Sequence, residues 1–435
     1  MNLMKEKITG QIRVSPEKLL IAREKIKCIL DLKEELERFL EEEVTETVEI
    51  LMVGSLFLDV SDIHFEPKKE NVLLRVRIDG VLHDVMYLSN EQYLALLSRL
   101  KLLSGLKLNI TDQPQDGRFS LLVEKDSIEI RTSSLPAEYG ESLVLRILNP
   151  KWVVSMEALG LREDMLKVFY EELKKPNGMI ICTGPTGSGK TTTLYAFLQK
   201  LINPEIKIIT VEDPIEYHLP GVAQTQVDES RGYTFASALR AIVRQDPDVI
   251  LVGEIRDYET AKISLQAALT GHLVFTTLHT NDAAGTVARL LALGEKLENI
   301  APALNLVIGQ RLVRTICPLC KKKVKIKKEK YERLKILFKN LPANVKVPPL
   351  TPETEVFVGE GCRNCNFTGY RGRLGIFEAF QVDDEIKRFI LRNPSIPDLK
   401  EIAIKKGMVP MHIDGYIKAL EGKTTFEEVE RVTAE

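Results

Sequence analysis

The stretch Gly184 to Thr191, GPTGSGKT, has residue types and spacing that specify chemistry, fitting the phosphate-binding pattern GxxxxGK[ST] at every fixed position. Gly184, Gly187 and Gly189 let the backbone turn tightly. The loop, with Pro185, Thr186 and Ser188 between the glycines, can then bring its N–H groups against phosphate oxygens. Lys190 supplies a point charge for the β and γ phosphates, and Thr191 offers a hydroxyl to Mg²⁺. The apolar run Met179 to Cys182 reads as a buried strand entering the loop. TTTLYAFLQKL reads as a helix leaving it, with its positive end toward the phosphates. The chemistry implied is the binding of a nucleoside triphosphate.

Hydrolysis needs carboxylates near that loop. DPDVILVGEIRD, Asp246 to Asp257, is an apolar strand running into Gly253-Glu254, which puts Glu254 at a strand end suited to the metal or water side. ITVEDPIEYH places Glu212, Asp213 and Glu216 just past another strand; carboxylates this dense also suit a solvated loop start. GHLVFTTLHT has a histidine at each end of an apolar run. Period-two counting puts His272 and His279 on opposite faces, with His279 the nucleotide-side group and His272 structural.

These groups need a scaffold, and the rest of the chain supplies one. Ile206–Val211, Val249–Val252 and Leu273–Thr277 are further strand-like runs with helical segments between them. Such alternation predicts a parallel sheet covered on both faces, with nucleotide at the carboxyl ends of its strands. Upstream, residues 1–45 are rich in Lys and Glu, with Leu19, Leu20, Ile26, Leu30, Leu32, Leu36 and Leu40 at helical spacing. They read as one or two amphipathic helices, serving either as a partner-docking arm or as packing on their own domain. Residues 46–150 read as a small α/β domain. VLLRVRI runs into the Asp79-Gly80 turn, Glu91 to Leu106 is helical, Ser127–Arg131 and Ser142–Leu148 are strands, and Arg75, Arg77, Arg118, Arg131 and Arg146 recur along it. A linker beginning at Asn149 leads into the second half.

At 435 residues the chain is long enough for two or three domains. A net charge of −2 argues against a dedicated nucleic-acid binder, which shows a strongly basic face. No apolar run reaches the ~18–20 residues of a membrane span, so a cytosolic location is expected. Four of six cysteines form two CxxC pairs, Cys317/Cys320 and Cys362/Cys365, 41 residues apart, which suits four thiolates around tetrahedral Zn²⁺ better than redox chemistry. Between them KKKVKIKKEK, Lys321 to Lys330, holds seven lysines in ten residues. It reads either as a contact for anionic lipid headgroups or an acidic partner, or as a solvated mobile loop.

These motifs, in this order, resemble the secretion ATPases of type II secretion and type IV pilus assembly. The resemblance runs from about residue 48 to the C-terminus and includes SDIHFEP (Ser61 to Pro67), RVRIDG (Arg75 to Gly80), DGR (Asp116 to Arg118) and GESLVLRIL (Gly140 to Leu148). The phosphate loop, TVEDPIE, DPDVILVGEIRD and TGHLVFTTLHT follow in family order. The resemblance implies an α/β fold, with a RecA-like P-loop ATPase domain after a small PAS-like α/β domain. It divides the chain into 1–45, 46–150 and an ATPase domain over 151–435, the last holding a zinc module at 312–378 and C-terminal helices at 379–435.

The resemblance implies ATP and Mg²⁺ as cofactors, with Glu216 as general base, Glu212 supporting it, and Glu254 as a second carboxylate on the Mg²⁺ side. Arg118 and Arg131 resemble arginines that close over the nucleotide; Arg240 and Arg244, four apart on one helical face, resemble arginines at an oligomer interface. The implied working form is a ring, usually a hexamer, at the inner membrane, partnered by a platform protein and a membrane-anchored protein. The segment NFTGYRGRLGIFE after the second cysteine pair matches the assembly and secretion branches, so a motor that drives assembly or export is expected rather than retraction. Only about 45 residues precede the family core, so regulation by a cyclic dinucleotide is not expected. The alternatives are a DNA-translocating or conjugation ATPase, and an ATP-binding scaffold without significant turnover.

Overall fold

The computed structural model of the protein describes residues 10–41, 43–149 and 154–434. The first nine residues of the expected extension, and residues 150–153 of the expected linker, lie outside the described residues. The chain forms two compact units. One holds the described residues up to 149 with Cys317–Cys320 and Glu360–Arg371. The other holds those from 154 to Ile316, Lys321–Gly359, and Gly372 to 434.

The first unit runs β1 (Gln11–Arg13), α1 (Pro16–Lys25), α2 (Ile29–Phe39), α3 (Val44–Phe57), β2 (Val60–Pro67), β3 (Val72–Ile78), β4 (Val81–Leu88), α4 (Asn90–Leu103), β5 (Gln115–Val123), β6 (Asp126–Ala137) and β7 (Gly140–Leu148). Its seven strands lie in the order β1-β5-β6-β7-β2-β3-β4. Asp79 and Gly80, both at positive φ, make the tight turn that pairs β3 antiparallel with β4. Leu32, Leu36 and Phe39 of α2 and Val48, Leu51 and Met52 of α3 share one core with Ile63, Phe65, Val76, Ile130 and Leu145 of the sheet. The extension is therefore not purely helical. Gln11–Arg13 alternates, buries Ile12, and adds a parallel edge strand to β5. Ser15 then starts α1 by accepting from the Lys18 amide, with Pro16 at the first helical position.

The second unit runs α5 (Glu163–Glu172), β8 (Gly178–Thr183), α6 (Lys190–Leu201), β9 (Ile208–Glu212), β10 (Ala223–Gln226), α7 (Phe235–Ile242), β11 (Val249–Val252), α8 (Tyr258–Leu269), β12 (Leu273–Leu278), α9 (Gly285–Ala292), α10 (Leu297–Ala303), β13 (Leu304–Ile316), β14 (Lys321–Lys325), α11 (Lys328–Phe338), β15 (Glu355–Gly359), β16 (Tyr370–Gln381), α12 (Asp384–Ile390), α13 (Ile396–Lys405), α14 (Met411–Leu420) and α15 (Phe426–Thr433). Strand order is β10-β9-β11-β12-β8-β13-β16, and every pairing from β10 to β13 is parallel. Successive residues of β8 enter different cores: Met179 and Ile181 join one with α7, α8 and α10, while Ile180 and Cys182 join another with α5 and α6. A strand buried on both faces must be apolar throughout, which is why its sequence shows a run rather than an alternation.

Two local expectations change. The lysine segment is not a loop: β14 pairs antiparallel with β15, and Lys328 begins α11. Lys323, Lys325 and Lys330 each pair with a glutamate (Glu355, Glu353 and Glu430), and Lys321 donates to the Gly422 carbonyl. Arg240 and Arg244 do not share one α-helical face, because α7 ends at Ile242 and Arg244 sits in the 3₁₀ turn Val243–Gln245. Among the described residues, no helix is long and apolar enough to cross a membrane.

Candidate nucleotide site and four-cysteine cluster

The phosphate loop connects β8 to α6 and passes through three glycines at positive φ. A side chain at Gly184 would put its Cβ 2.4 Å from the Gln310 carbonyl oxygen, and Gly189, at φ 85°, is the left-handed residue from which α6 starts. Lys190 is 8% exposed, and its ammonium donates to the Gly184 and Pro185 carbonyls at 2.9 and 3.0 Å. Burial lowers its pKa, with the charge of Glu254 acting in the opposite sense. Ser188 Oγ is buried without a hydrogen-bond partner, as suits a hydroxyl in a loop built for a polar ligand. Thr191, half-buried, opens the first turn of α6.

Glu254 lies beyond the end of β11, where its two oxygens meet Arg256 Nη2 at 2.5 Å and His279 Nε2 at 3.4 Å. Burial, then the Lys190 charge, lowers the His279 pKa, so the ring is neutral near pH 7. The two histidines do not alternate across a strand face. β12 covers only Leu273–Leu278, and each histidine sits just outside one end. His272 Nδ1 is 3.0 Å from the Ala267 carbonyl, far from the phosphate-loop end of the sheet.

The acidic segment leaves β9. Glu212 is 3% exposed, and its carboxylate is fully engaged: Thr210 Oγ1 donates at 2.6 Å, Gln224 Nε2 at 3.2 Å, and the Tyr195 hydroxyl bonds the other oxygen. Burial raises its pKa. Because Tyr195 is on α6, Glu212 ties the acidic segment to the helix after the phosphate loop. Glu216 is half-buried, four residues further along. Arg240, exposed, pairs with Glu259, and Arg244 is exposed.

In the first unit, strand register places Arg118, Arg131 and Arg146 side by side on β5, β6 and β7, then Asp62 on β2 and Arg77 on β3. Glu129 lies 3.2 Å from Arg131 and 3.9 Å from Arg118, while Asp62 holds Arg146 at 2.9 Å and Arg77 at 3.4 Å. Arginines scattered along the sequence thus form a row across one sheet face. The neighbours of the site that sequence reasoning missed are Arg256, Thr183 and Gln310. Arg256 stands inside the DPDVILVGEIRD stretch, two residues past Glu254. The other two are uncharged residues of apolar strands, and carry no sequence signal.

Cys317, Cys320, Cys362 and Cys365 converge, their sulfurs all within 4.8 Å of one another. Three of the sulfur pairs are 3.8, 3.8 and 3.7 Å apart. Four thiolates at the ~2.3 Å Zn–S distance of a tetrahedral site have sulfurs about 3.8 Å apart, so the cluster fits Zn²⁺ and is too open for disulfides. Burial and the neighbouring thiols push Cys320 up to about 12, so binding a cation here releases protons and weakens in acid.

A family profile described as "Type II/IV secretion system protein" matches residues 37–431. This chain belongs to that family. Among similar curated proteins, the type IV pilus assembly ATPase PilB of Thermus thermophilus is 44% identical over 372 residues, 85% of this chain and 41% of that protein. Type II secretion system protein E of Dickeya dadantii is 44% identical over 376 residues, 86% of this chain and 72% of that one. The chain thus spans less than half of the Thermus relative. Among solved structures, the Legionella pneumophila ATPase DotB aligns with TM-score 0.64 at 21% identity, covering 89% of this chain and 95% of that one, a likeness of fold. The pilus retraction motor PilT with bound ADP aligns with TM-score 0.58 at 26% identity, covering 88% and 96%. The secretion-family fold is therefore shared by proteins named for assembly and for retraction.

Proposed function

We propose that this chain binds ATP with Mg²⁺ and hydrolyses it, and that turnover drives pilus or pseudopilus assembly, or protein export, at an inner-membrane platform. The observation that carries this reading is the gathering of Lys190, Glu254 and His279 at the carboxyl ends of the parallel strands β8, β11 and β12. The names of the curated relatives, one for pilus assembly and one for type II secretion, support both outlets equally.

In this reading the loop amides and Lys190 hold the phosphates, and Thr191 and Glu254 are the residues offered to Mg²⁺. When bound, the metal neutralises charge developing on the β and γ phosphates. Glu216 is the base that orients water. Glu212, with every oxygen engaged, holds that segment in place. Arg118 and Arg131 meet nucleotide phosphates after exchanging Glu129 for them, and Arg240 and Arg244 face a second copy in a ring, Arg240 leaving Glu259 to do so. Cys317, Cys320, Cys362 and Cys365 hold Zn²⁺. The protein works in the cytoplasm against the inner membrane with a platform protein. Lipid contact through 321–330 is the weaker part, since at least five of its seven lysines are already engaged.

The test is phosphate release alongside nucleotide binding. Lys190→Ala should lose both, while Glu254→Gln should keep binding and lose turnover roughly 10²–10³-fold. Wild-type turnover in Glu254→Gln overturns the site. Binding without turnover in the unaltered protein returns the scaffold reading, and turnover that rises on adding DNA returns the translocase reading.

A further inference from the structure

Thr183 is the last residue of β8, fully buried, and stands one residue before the phosphate loop. Its register partner across the sheet is Leu278, the last residue of β12, so His279 is the first residue past that pairing. The Thr183 hydroxyl reaches the chain on both sides of His279. It lies 3.1 Å from the Leu278 carbonyl, accepts from the Thr280 amide at 3.0 Å, and is 2.6 Å from Thr280 Oγ1. Thr280 Oγ1 in turn donates to the Asp282 carbonyl at 2.7 Å. A hydroxyl has one proton and two lone pairs. One consistent assignment is therefore Thr280 N–H to Thr183 Oγ1, Thr183 O–H to Thr280 Oγ1, and Thr280 O–H to the Asp282 carbonyl. Beyond it, the Asp282 carboxylate accepts from the Gly285 amide at 2.9 Å and from Lys400 at 3.0 Å, so the segment carrying His279 is held at both ends.

We propose that Thr183 is a positioning residue: its hydroxyl, accepting from the Thr280 amide and donating to Thr280 Oγ1, fixes the backbone immediately past His279 and so sets the imidazole against Glu254, 3.4 Å away. Thr183 also adjoins Gly184, so a loop that shifts around a phosphate moves the atom to which the histidine segment is pinned. Thr183 links loop occupancy to the placement of His279. This inference rests on the hydrolytic reading of the site.

Thr183→Val keeps the shape and removes the hydroxyl; Thr183→Ser keeps the hydroxyl. If the clamp operates, Thr183→Val lowers kcat roughly tenfold or more with KM changed less than about twofold. Thr183→Ser stays within about threefold of the unaltered protein, and Thr183→Val added to His279→Ala costs nothing further. Equal losses in the valine and serine variants, or full additivity with His279→Ala, overturn it. The His279 imidazole NMR signals give a readout independent of turnover: they must shift in Thr183→Val and not in Thr183→Ser, and unshifted signals overturn the clamp. Should His279→Ala leave kcat unchanged while the signals still shift, the catalytic reading of His279 fails and the clamp stands. Thr280→Val, at the less buried partner, breaks the same link if the valine at 183 prevents folding; it must shift the same signals, and unshifted signals again overturn the clamp.

Discussion

The turn that carries the second cysteine pair also holds the start of α2, so removing its metal should loosen that helix in a bounded way. Asn366, directly after Cys365, accepts from the Ile29 amide at 2.7 Å, and Arg363, between the two cysteines, pairs with Asp31. The first bond is a neutral, half-buried one worth ~1 kcal/mol. The second involves a guanidinium 65% exposed, so solvent screening leaves it only a small addition. The neutral bond therefore sets the scale, about 1 kcal/mol or a factor of roughly 5 in the opening equilibrium of the first turn of α2. The rest of the helix should not follow. Asp31 still accepts from the Lys27 and Cys28 amides, both at 2.9 Å, and Leu32, Leu36 and Phe39 remain in the core. Amide hydrogen exchange with and without a zinc chelator should therefore show Ile29 exchanging faster by that factor, with Leu36 and Phe39 unchanged. Asn366→Gly isolates the neutral bond, because Asn366 sits at φ 50° and glycine accepts that backbone where alanine would strain it. It should give roughly a fivefold increase at Ile29 with the metal still bound. Unchanged exchange at Ile29 after chelation, while the cysteine segments themselves open, would refute the reasoning.

Other perturbations follow from buried charge. Asp414, fully buried, takes Arg162 at 2.7 Å on one oxygen, and Lys418 at 2.6 Å and the Phe377 amide at 2.8 Å on the other. Asp414→Asn strands the buried Lys418 ammonium and leaves Arg162 with Asp164 alone, and should cost about 3–5 kcal/mol in denaturant unfolding, whereas Lys418→Met, which leaves Arg162 on Asp414, should cost only about 1–2 kcal/mol. Glu428 is 1% exposed; burial would raise its pKa, but Arg431 and Arg314 outweigh that and hold it near 2. A depressed carboxylate contributes stability above its unfolded pKa of 4.5, lost as pH falls toward 2. Glu428→Gln should therefore destabilise by about 2–3 kcal/mol at pH 7, and by progressively less below pH 4.5, as read from urea midpoints across that range. Metal analysis should find one zinc per chain, and titration should show affinity falling with pH as the thiols take protons.

What the sequence displayed and what it hid divides along chain separation and along charge. The phosphate loop was legible because its chemistry is local: glycines that must adopt positive φ, a lysine and a hydroxyl all fall within eight residues. Glu254 and His279 were legible because a polar residue at the end of an apolar run has few structural reasons to be there. The cysteine pairs were legible as ligands, since thiol spacing has few other uses. Their grouping with the first unit depends on contacts such as that of Asn366 with Ile29, separated by 337 positions, which no local pattern encodes. Periodicity also failed where an element was shorter than assumed: β12 stops before either histidine, and α7 stops before Arg244.

Thr183 and Gln310 mark a deeper limit. A threonine closing an apolar strand matches the β-propensity of its neighbours, so its hydroxyl raises no question until the strand opposite is known. Thr183 meets Thr280 across 97 positions, and Gln310 Oε1 accepts from Thr193 Oγ1 across 117 and from Cys182 Sγ across 128. Both are almost fully buried, so their polar atoms had to find partners inside the protein, and the partners available lie in or beside the loop that receives phosphate. The charged residues mark where the chemistry is proposed. Of the uncharged ones, Thr183 closes its strand and meets the chain just past the end of the strand opposite, whereas Gln310, in the middle of β13, reaches back to β8 and α6, so the edge of the sheet and the helix leaving it are tied together from two sides.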